Sequence, residues 1–352
     1  MMAQKGEKPL RIISSVAPIR IADFGGWTDT WFAKHGRVLN IAVYPYVEVQ
    51  IHVYRRGDRP PVSIYAENYG ERYTLEAIGG TYDRHPLLEA AIQYMGVPKD
   101  LALEITIFSE APVGASTGTS AAVSVALIGA LDWLKPGRMT PHEVAAAAHR
   151  IETQLLRQQC GVQDQLASAY GGICYIEILD YPHAIVSPVV LPNSIWWELE
   201  RRLSLIFLGQ SHSSSKVHEM VIRELESAGP EAEKLTPLRE TPLKAKNALY
   251  AGDFEALGQA MIENTEAQRR LHPSLISPRH QAIIDMAQRF GALGWKVNGA
   301  GGDGGSVTIL GGPDSALQRQ MLATIKKELP YTQNIPIYLS RFGLRVWETP
   351  IY

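Results

Sequence analysis

The sequence predicts an α+β protein of two domains, and three observations lead to that prediction. The chain has 352 residues, which is more than a single compact core usually holds. Strand patterns dominate its first half, whereas helix patterns dominate its second half. No internal repeat or low-complexity linker interrupts that order. We therefore place a soft boundary near 190–205 and predict domains at 1–195 and 196–352.

The composition narrows the classes of partner. Lys and Arg number 34, Asp and Glu number 36, and the net charge is −2. Such a chain lacks the clustered basic excess that binding to nucleic acid or to an anionic membrane needs. Its two cysteines provide neither a disulfide framework nor a thiolate zinc site. With no apolar run of roughly 18 residues and no signal peptide, we expect a cytoplasmic protein that binds neither nucleic acid nor membrane.

Strand patterns account for most of the first part of the chain. A first strand is predicted at 11–15. The pattern from 38 to 54 is also that of a strand, and within it apolar residues alternate with polar ones over 47–53, as in Val49-Gln50-Ile51. The other elements predicted here are short strands at 62–66, 71–76 and 101–108 and a helix near 86–95.

The middle of the chain opens with a helix. Thr140 and Glu143 form a capping box with Pro141 at the first helical position, which predicts a helix from 140 to about 156. Further on we expect strands near 172–179, 184–190 and 203–208, long amphipathic helices over 214–290, and then a strand, a Gly-rich loop, a strand, a helix and two final strands ending at Trp347.

The first of three Gly-rich loops runs from Ala17 to Asp29. It contains Arg20, a pair of glycines and then Thr28 and Asp29. A carboxylate in a loop that glycines keep compact is suited to accept hydrogen bonds from the hydroxyls of a sugar. Taken alone, an ordinary turn with a solvated Asp explains this loop at least as well.

The second loop, from Pro112 to Ser120, is rich in Gly and hydroxyl residues and runs directly into an apolar helix at 121–133. The free N–H groups and the positive dipole end of such a helix attract phosphate. No Gly-Lys-Ser/Thr follows, so this is not a Walker A loop. Alternatively, Ser116 to Ser120 simply cap the helix, and the two explanations are compatible.

The third loop, 296–305, has five glycines among the seven residues from Gly299 to Gly305. That is more than a hairpin needs, and it suggests a backbone that lies against a ligand or against the second loop. A plain flexible turn is the alternative.

Two acids complete the candidate site. Glu152 lies near the end of the capped helix, and Asp164 follows the glycine break at Gly161. Phosphoryl transfer needs a metal that neutralises charge and a group that accepts the proton of the attacking hydroxyl. One acid for each task is the simplest assignment, although any single Asp or Glu is usually a surface charge.

In this order the motifs resemble those of the GHMP kinases, which include galactokinase, homoserine kinase, mevalonate kinase and phosphomevalonate kinase. The resemblance extends over about residues 11–310. It implies a two-domain GHMP kinase fold, with an N-terminal α+β domain that contains a left-handed βαβ crossover and a ferredoxin-like C-terminal domain. It also implies that ATP and Mg²⁺ bind in the cleft between them.

The resemblance further implies roles for single residues. Asp164 matches the carboxylate that deprotonates or orients the attacking hydroxyl, and Arg20 matches the basic group beside it. Glu152 matches an acidic metal ligand, with Ser120 as its hydroxyl partner. The implied nucleotide-binding residues are Pro112, Gly114, Ser116, Thr117, Gly118, Thr119 and Ser120. The implied substrate-binding residues are Gly26, Trp27, Thr28, Asp29, Gln165, Gly299, Gly301 and Gly302.

One more segment, Gly209 to Lys216, follows a strand and opens a helix. Its hydroxyls, including Ser213, and its lysine could bind the distal phosphate of a phosphorylated sugar. A helix start with more capping residues than it needs is an equally good explanation.

Within the superfamily, 25–29 and 161–165 look most like kinases of the anomeric hydroxyl, and the chain length favours D-glycero-D-manno-heptose 7-phosphate kinases. The alternatives are a fucokinase-, glucuronokinase- or galactokinase-like sugar kinase, a homoserine or mevalonate kinase, a diphosphomevalonate decarboxylase and a non-catalytic sugar sensor. Ser116-Thr117 replace the family's usual Gly-Leu, which leaves the nucleotide preference open. A homodimer is also left open.

Overall fold

The computed structural model describes residues 8–210 and 216–351. In this part of the chain the strands are β1 (Arg11–Phe24), β2 (Gly36–Arg55), β3 (Val62–Ala66), β4 (Glu71–Leu75), β5 (Leu101–Ser109), β6 (Ile173–Asp180), β7 (His183–Pro188), β8 (Leu203–Phe207), β9 (Gly294–Val297), β10 (Ser306–Leu310), β11 (Gln333–Ile335), β12 (Tyr338–Leu339) and β13 (Arg345–Thr349).

The helices are α1 (Pro86–Met95), α2 (Thr119–Asp132), α3 (Pro141–Arg150), α4 (Gln163–Tyr170), α5 (Asn193–Arg202), α6 (Lys216–Ala228), α7 (Thr236–Ala251), α8 (Phe254–Leu271), α9 (Pro278–Arg289) and α10 (Ser315–Glu328). Together with the mostly antiparallel strands they confirm the predicted α+β class.

The long strand β2 organises the larger sheet, whose main path is β13-β1-β2-β5-β3-β4. Residues 36–41 of β2 pair with β6, and residues 47–55 pair with β5. The 20 residues of β2, at roughly 3.3 Å each, are therefore long enough to join two parts of the sheet. One strand thus brings together the segment that leads into the second Gly-rich loop and the segment that follows Asp164.

The strands β3 and β5 form the parallel pair of this sheet, with Val62 opposite Leu103. Parallel neighbours require a crossover connection, and here β4 and α1 lie between the two strands in sequence. The left-handed sense of this crossover stays a prediction.

The smaller sheet has the order β11-β8-β10-β9, and all its pairs are antiparallel. In sequence it reads β8, helices, β9, β10, α10 and β11. This alternation and this strand order are those of the predicted ferredoxin-like arrangement. Residues such as Ile206, Val297 and Val307 form its own apolar core with α9 and α10.

The end of the chain returns to the larger sheet. β12 pairs with β2, and β13 pairs with β1 along 345–349. Helix α5 spans the predicted domain boundary at 195/196, and the last two strands belong to the first sheet. The division into 1–195 and 196–352 stays a prediction. The sequence predicted two strands after the last helix, whereas the structure has three and extends to Thr349.

Helix α2 is apolar on every side and lies in the main core. Its residues from Ala121 to Leu131 are almost all buried, and it contacts β1, β2, α1 and α4. A helix that is hydrophobic all round is stable only where other elements enclose it. The core therefore holds the first turn of α2 in place, and the second Gly-rich loop leads directly into that turn.

Two boundaries differ from the sequence prediction. The first strand continues to Phe24 instead of ending near 15, because bulges after Pro18 and Ile21 let the buried chain keep its pairing with β2. The capped helix ends its α-helical part at Arg150 and continues as one π-helical turn, Ile151–Leu155. Helix α5 was not predicted. No helix among residues 8–210 and 216–351 combines the length and apolarity that a membrane crossing requires.

Two glycines with nearly the same backbone conformation allow a test of how the end of α4 is held. Gly171 (φ 67°, ψ −169°) follows α4, and an added Cβ would lie 2.1 Å from the backbone nitrogen of Gly343. Gly96 (φ 68°, ψ 159°) follows α1, and the nearest atom to such a Cβ is the Lys135 Nζ at 3.8 Å. The backbone strain of an added Cβ is similar in both, so the difference reports the backbone contact.

We expect Gly96→Ala to cost roughly 1–3 kcal/mol of unfolding free energy, and Gly171→Ala to cost at least about 2 kcal/mol more because backbone atoms overlap. Urea unfolding of both variants measures this. Equal losses would mean that residues 342–343 do not press against the end of α4.

Candidate active site

The second loop connects β5 to α2 and ends at an uncapped helix start. Gly118 precedes α2 with φ 71°, and among residues 8–210 and 216–351 no side chain accepts a hydrogen bond from the first turn. The alternative that Ser116 to Ser120 cap this helix is therefore wrong. The N–H groups of the first turn have no partner within a helix, so they are available to an anion.

The hydroxyl residues of this loop differ in exposure. Thr117 is buried, Thr119 is half-buried and Ser120 is exposed, and the hydroxyls of Thr117 and Thr119 lie 3.2 Å apart. Ser116 adopts φ 58°, and its Oγ is buried without a hydrogen-bond partner among the described residues. Such a strained residue and two positive-φ glycines, Gly114 and Gly118, fix the curvature of the loop.

Arg20 on β1 holds this loop and reaches across to α4. Its backbone N–H donates to the carbonyl of Thr117 (2.9 Å), and its side chain donates to the carbonyl of Ser116 (2.6 Å). The same guanidinium donates to both carboxylate oxygens of Asp164, at 2.8 and 3.2 Å. The bidentate geometry orients Asp164 as well as pairing its charge.

The carboxylates near Arg20 favour its protonated form although the side chain is buried. Burial alone would lower the pKa of its guanidinium, but the carboxylates of Asp164 and Asp23 outweigh it, so the pKa is raised. Asp164 keeps 30% of its side chain exposed. The acid is therefore the accessible end of a pair whose basic end is enclosed.

Asp164 lies against the anion loop. A Cβ added to Gly118 would come within 3.3 Å of the carboxyl carbon of Asp164 and 3.4 Å of Cγ of Arg20. The predicted pair Arg20–Asp164 and the predicted phosphate loop are thus brought together at the start of α2.

Three consecutive residues at the start of α4 each hold a group from another element. Gln163 donates to Asp29 through its backbone N–H (3.1 Å) and its amide (3.4 Å), and Gln165 donates to Glu152 (2.8 Å). Asp164 between them pairs with Arg20. The amide oxygens of Gln163 and Gln165 are buried and have no hydrogen-bond partner in the described part of the chain.

Two of the acids are strongly desolvated. Burial raises the pKa of Asp29 to about 6, against the hydrogen bond from the Gln163 backbone. Burial also raises the pKa of Glu152 to about 7, against the hydrogen bond from Gln165, and the charge of Asp164 adds to the rise. Gly161 permits this close arrangement, since a Cβ there would lie 2.0 Å from Asp29.

Most groups of the first loop contact other groups of the protein. Gly26 lies close to Asp23 and Gln163, where a Cβ would be 2.9 Å from a carboxylate oxygen. Trp27 packs on Phe32 and His218, with its indole nitrogen buried and unpartnered among the described residues. The Thr28 hydroxyl lies 2.8 Å from the Gly25 carbonyl and 3.0 Å from the Arg37 carbonyl. The hydroxyl therefore stabilises the loop, and the contact of Thr28 with substrate stays a prediction.

The third loop lies against the second, as one of the two sequence interpretations proposed. A Cβ at Gly299 would be 3.0 Å from Cβ of Ser116, and one at Gly305 would be 2.6 Å from its Oγ. Gly301 and Gly302 lie against Leu275 instead. A Cβ added to Gly301 would be 2.2 Å from the carbonyl oxygen of Leu275, and the N–H of Gly302 donates to the same carbonyl (2.9 Å). These two glycines, predicted to bind substrate, make room for protein backbone.

Three site residues were missed from the sequence. Gln163, Asp23 and Lys296 lie within the quoted motifs, yet nothing in their spacing shows that Gln163 holds Asp29 or that Asp23 meets Lys296 at 3.6 Å. Predicted Ser213 lies outside the described residues.

The residues present suit a divalent cation that shares its ligands with phosphate. Among the described residues no three or more His, Cys, Asp or Glu side chains are grouped as a metal site. Glu152 is 7% exposed with a raised pKa, and a nearby cation would favour its charged form. Mg²⁺ commonly binds one or two carboxylates and completes its shell with substrate phosphates and water.

Comparison with known proteins agrees with this geometry. The chain matches the family descriptions "GHMP kinases N terminal domain" over 86–172 and "GHMP kinases C terminal" over 245–327. D-glycero-alpha-D-manno-heptose 7-phosphate kinase of Campylobacter jejuni is 25% identical over 348 residues, which are 96% of this chain and 99% of that protein.

Two further relatives cover nearly the whole chain. A mevalonate kinase of Thermococcus gammatolerans is 30% identical over 353 residues, 96% of this chain and 99% of the relative. The solved structure of a D-glycero-D-manno-heptose 1-phosphate kinase from Bacteroides thetaiotaomicron has a TM-score of 0.74 at 22% identity, with 97% of this chain and 99% of that chain covered. The latter is a likeness of fold.

The desolvation of Asp29 predicts a pH-dependent stability. The pKa of Asp29 is about 6 in the folded protein, against 3.8 for the ordinary group. The contribution of Asp29 to the free energy of unfolding is therefore fully present below pH 3.8 and is lost as the pH rises through 6. Because Asn does not titrate, the stability of Asp29→Asn relative to wild type should rise by on the order of 2–3 kcal/mol between pH 4 and pH 7.5.

Urea unfolding at both pH values measures this gap, and Asp180→Asn, an exposed substitution, controls for the loss of one negative charge. A gap between Asp29→Asn and wild type that does not change with pH would contradict the desolvated state of Asp29.

Proposed function

This chain belongs to the GHMP kinase family, and from that premise we propose that it transfers the γ-phosphoryl group of ATP to the anomeric hydroxyl of a heptose 7-phosphate or a related aldose. The observation that carries the proposal is the Arg20–Asp164 pair, bidentate at 2.8 and 3.2 Å, beside the start of α2. An anion cradle and a positioned acid in contact are what phosphoryl transfer requires.

The nucleotide is proposed to bind along the second loop. The N–H groups at the uncapped start of α2 and the positive end of its dipole face the phosphates. Pro112, Gly114, Ser116, Thr117, Gly118, Thr119 and Ser120 are the proposed contacts. The second loop does not have the lysine of a Walker A loop. Its shape is held by Gly299 and Gly305, which pack against Ser116.

Glu152 and the hydroxyl of Ser120 are proposed to hold Mg²⁺. Gln165 fixes one oxygen of Glu152 at 2.8 Å, which orients the carboxylate. When bound, the ion would neutralise charge on the phosphate oxygens. The exposure of Ser120 suits a residue whose partner arrives with the nucleotide.

The acceptor is proposed to be polyhydroxylated. Asp29 and the unpartnered amide oxygens of Gln163 and Gln165 are buried acceptors close to Asp164. A buried acceptor without a donor is costly, and sugar hydroxyls would supply donors to all of them. Trp27 and Gly26 are proposed to line the same side. The heptose 7-phosphate kinase relative supports a sugar of this kind.

In the proposed reaction the anomeric oxygen attacks the γ-phosphorus in line. The new O–P bond forms as the bond to the bridging oxygen breaks, and ADP leaves with that electron pair. Asp164 accepts the proton of the hydroxyl and later releases it to solvent. Arg20 keeps the carboxylate oriented through its two hydrogen bonds while negative charge spreads over the phosphoryl oxygens.

A mevalonate kinase activity is the second candidate, since the relative from Thermococcus gammatolerans is 30% identical along nearly the whole chain. Mevalonate has two hydroxyls, one of which would attack, and a carboxylate. Because a heptose has more hydroxyls, mevalonate would leave the amide oxygens of Gln163 and Gln165 with fewer donors. A cytoplasmic location is also proposed, from the sequence alone.

A substrate panel tests the proposal. Purified protein with MgATP is offered heptose 7-phosphate, free heptose, fucose, galactose, glucuronate, homoserine and mevalonate, and ADP release is followed. We expect the highest kcat/KM with an aldose or aldose phosphate, and a phosphorus resonance coupled to the anomeric proton in the product. ADP release with mevalonate alone, or phosphate on a non-anomeric oxygen, would contradict the proposal, and CO₂ release would indicate a decarboxylase.

A further inference from the structure

Asp23 is a carboxylate at the end of β1 that the proposed chemistry does not use. It is 0% exposed, and its oxygens accept hydrogen bonds from the backbone N–H of Gly299 at 3.0 and 3.1 Å. Two cations lie near the same carboxylate: Lys296 at 3.6 Å and Arg20 at 3.7 Å. A buried carboxylate with this environment is fully occupied by protein groups.

Lys296 is equally enclosed. Only 1% of it is exposed, and its ammonium donates to the amide oxygen of Gln268 (3.3 Å) and to the carbonyl of Val297. Burial lowers the pKa of this lysine, and the charge of Asp23 opposes that effect. A buried ammonium costs several kcal/mol unless it is paired, so a lysine is a poor choice if this position needed only packing.

Together these groups form a row of alternating charge. Lys296 meets Asp23 at 3.6 Å, Asp23 meets Arg20 at 3.7 Å, and Arg20 meets Asp164 at 2.8 Å. Two cations and two carboxylates balance. Three of the four side chains are at most 5% exposed, and Asp164 alone, at 30%, reaches the open side. The row runs from the third Gly-rich loop to the acid beside the second loop.

The position of Asp23 bears on what Arg20 can do. The guanidinium has Asp164 on one side and Asp23 on another, and it also donates to the carbonyl of Ser116. If Asp23 were absent, only Asp164 would hold the guanidinium electrostatically. If Lys296 were absent, Arg20 at 3.7 Å would be the remaining cation beside Asp23 and would be drawn toward it. Either change alters the geometry at Asp164.

We propose that Asp23 and Lys296 are positioning residues for phosphoryl transfer, which hold Arg20 in the orientation that presents Asp164 and tie the third loop to the first. This rests on the proposed function. The competing explanation is a latch that stabilises the fold and leaves the chemistry alone. The two differ in whether kcat falls in protein that is still folded.

The experiment is a double-mutant cycle with Asp23→Asn, Lys296→Met and the double variant, read by urea unfolding and by steady-state kinetics. Lys244→Met is the matched control, because Lys244 also pairs with a carboxylate, Glu263 at 2.8 Å, but on the surface. Each single variant removes one charge from the row and leaves it unbalanced. The double variant removes one positive and one negative charge, so the remaining charges balance.

We expect both single variants to unfold at lower urea than the control and the double variant to be more stable than the sum of the single losses predicts. We expect kcat to fall about ten- to a hundredfold in Asp23→Asn and in the double variant, because a misplaced catalytic group costs rates of that size. The KM values for ATP and for the acceptor should stay within about threefold of wild type, because neither residue is a proposed ligand contact.

Three results would overturn the proposal. Additive stability losses would show that the charges do not act as a row. A wild-type kcat in Asp23→Asn would show that Asp23 is a latch only. A parallel loss of kcat and rise of both KM values would show general distortion of the site.

Two precautions keep the test decisive. If Lys296→Met does not fold alone, the charge-balanced double variant supplies the kinetic result. If the wild-type protein releases no ADP with any acceptor, the proposed function fails, whereas the stability cycle still reports whether the charges are coupled.

Discussion

Arg20 is held between two carboxylates, Asp164 at 2.8 Å and Asp23 at 3.7 Å, at a depth where water cannot solvate it. A buried guanidinium without partners would be strongly destabilising, and the buried carboxylate of Asp23 would be costly without the cations beside it. Because the charges lie on β1, on α4 and beside the third loop, they can compensate one another only when those segments meet. Neutralising this group of charges therefore requires the fold that builds the site.

The glycines of the site follow from the same constraint. Gly118, Gly161 and Gly26 each lie where an added Cβ would approach a carboxylate or its partners at 3.3 Å or less. Charged side chains can be packed this closely only where neighbouring residues have no side chain. The motifs are thus rich in glycine for two reasons: the backbone must curve around phosphate, and the acids must fit together.

The sequence was sufficient to predict the fold class, the order of most elements and the pairing of Arg20 with Asp164. The strand and helix patterns are local, and the resemblance to GHMP kinases supplied the long-range order. What a sequence cannot show is which side chain meets which. Gln163 and Gln165 look alike, yet one holds Asp29 and the other holds Glu152. Asp23 and Lys296 are separated by most of the chain, and only folding shows that they pair. Nothing in the sequence shows that the hydroxyl of Thr28 donates to the carbonyl of Arg37.

The central claim is that Asp164 acts on the attacking hydroxyl while the nucleotide is bound by the neighbouring loop. Its most direct test is Asp164→Asn, with kcat and nucleotide affinity measured on the same preparation and with the exposed substitution Asp180→Asn as control. The variant keeps the shape of the side chain and loses its basicity. We expect kcat to fall by about 10³ or more and the Kd for ATP to stay within about threefold of wild type. A variant that turns over at the wild-type rate would contradict the role of Asp164 and, with it, the account of the site.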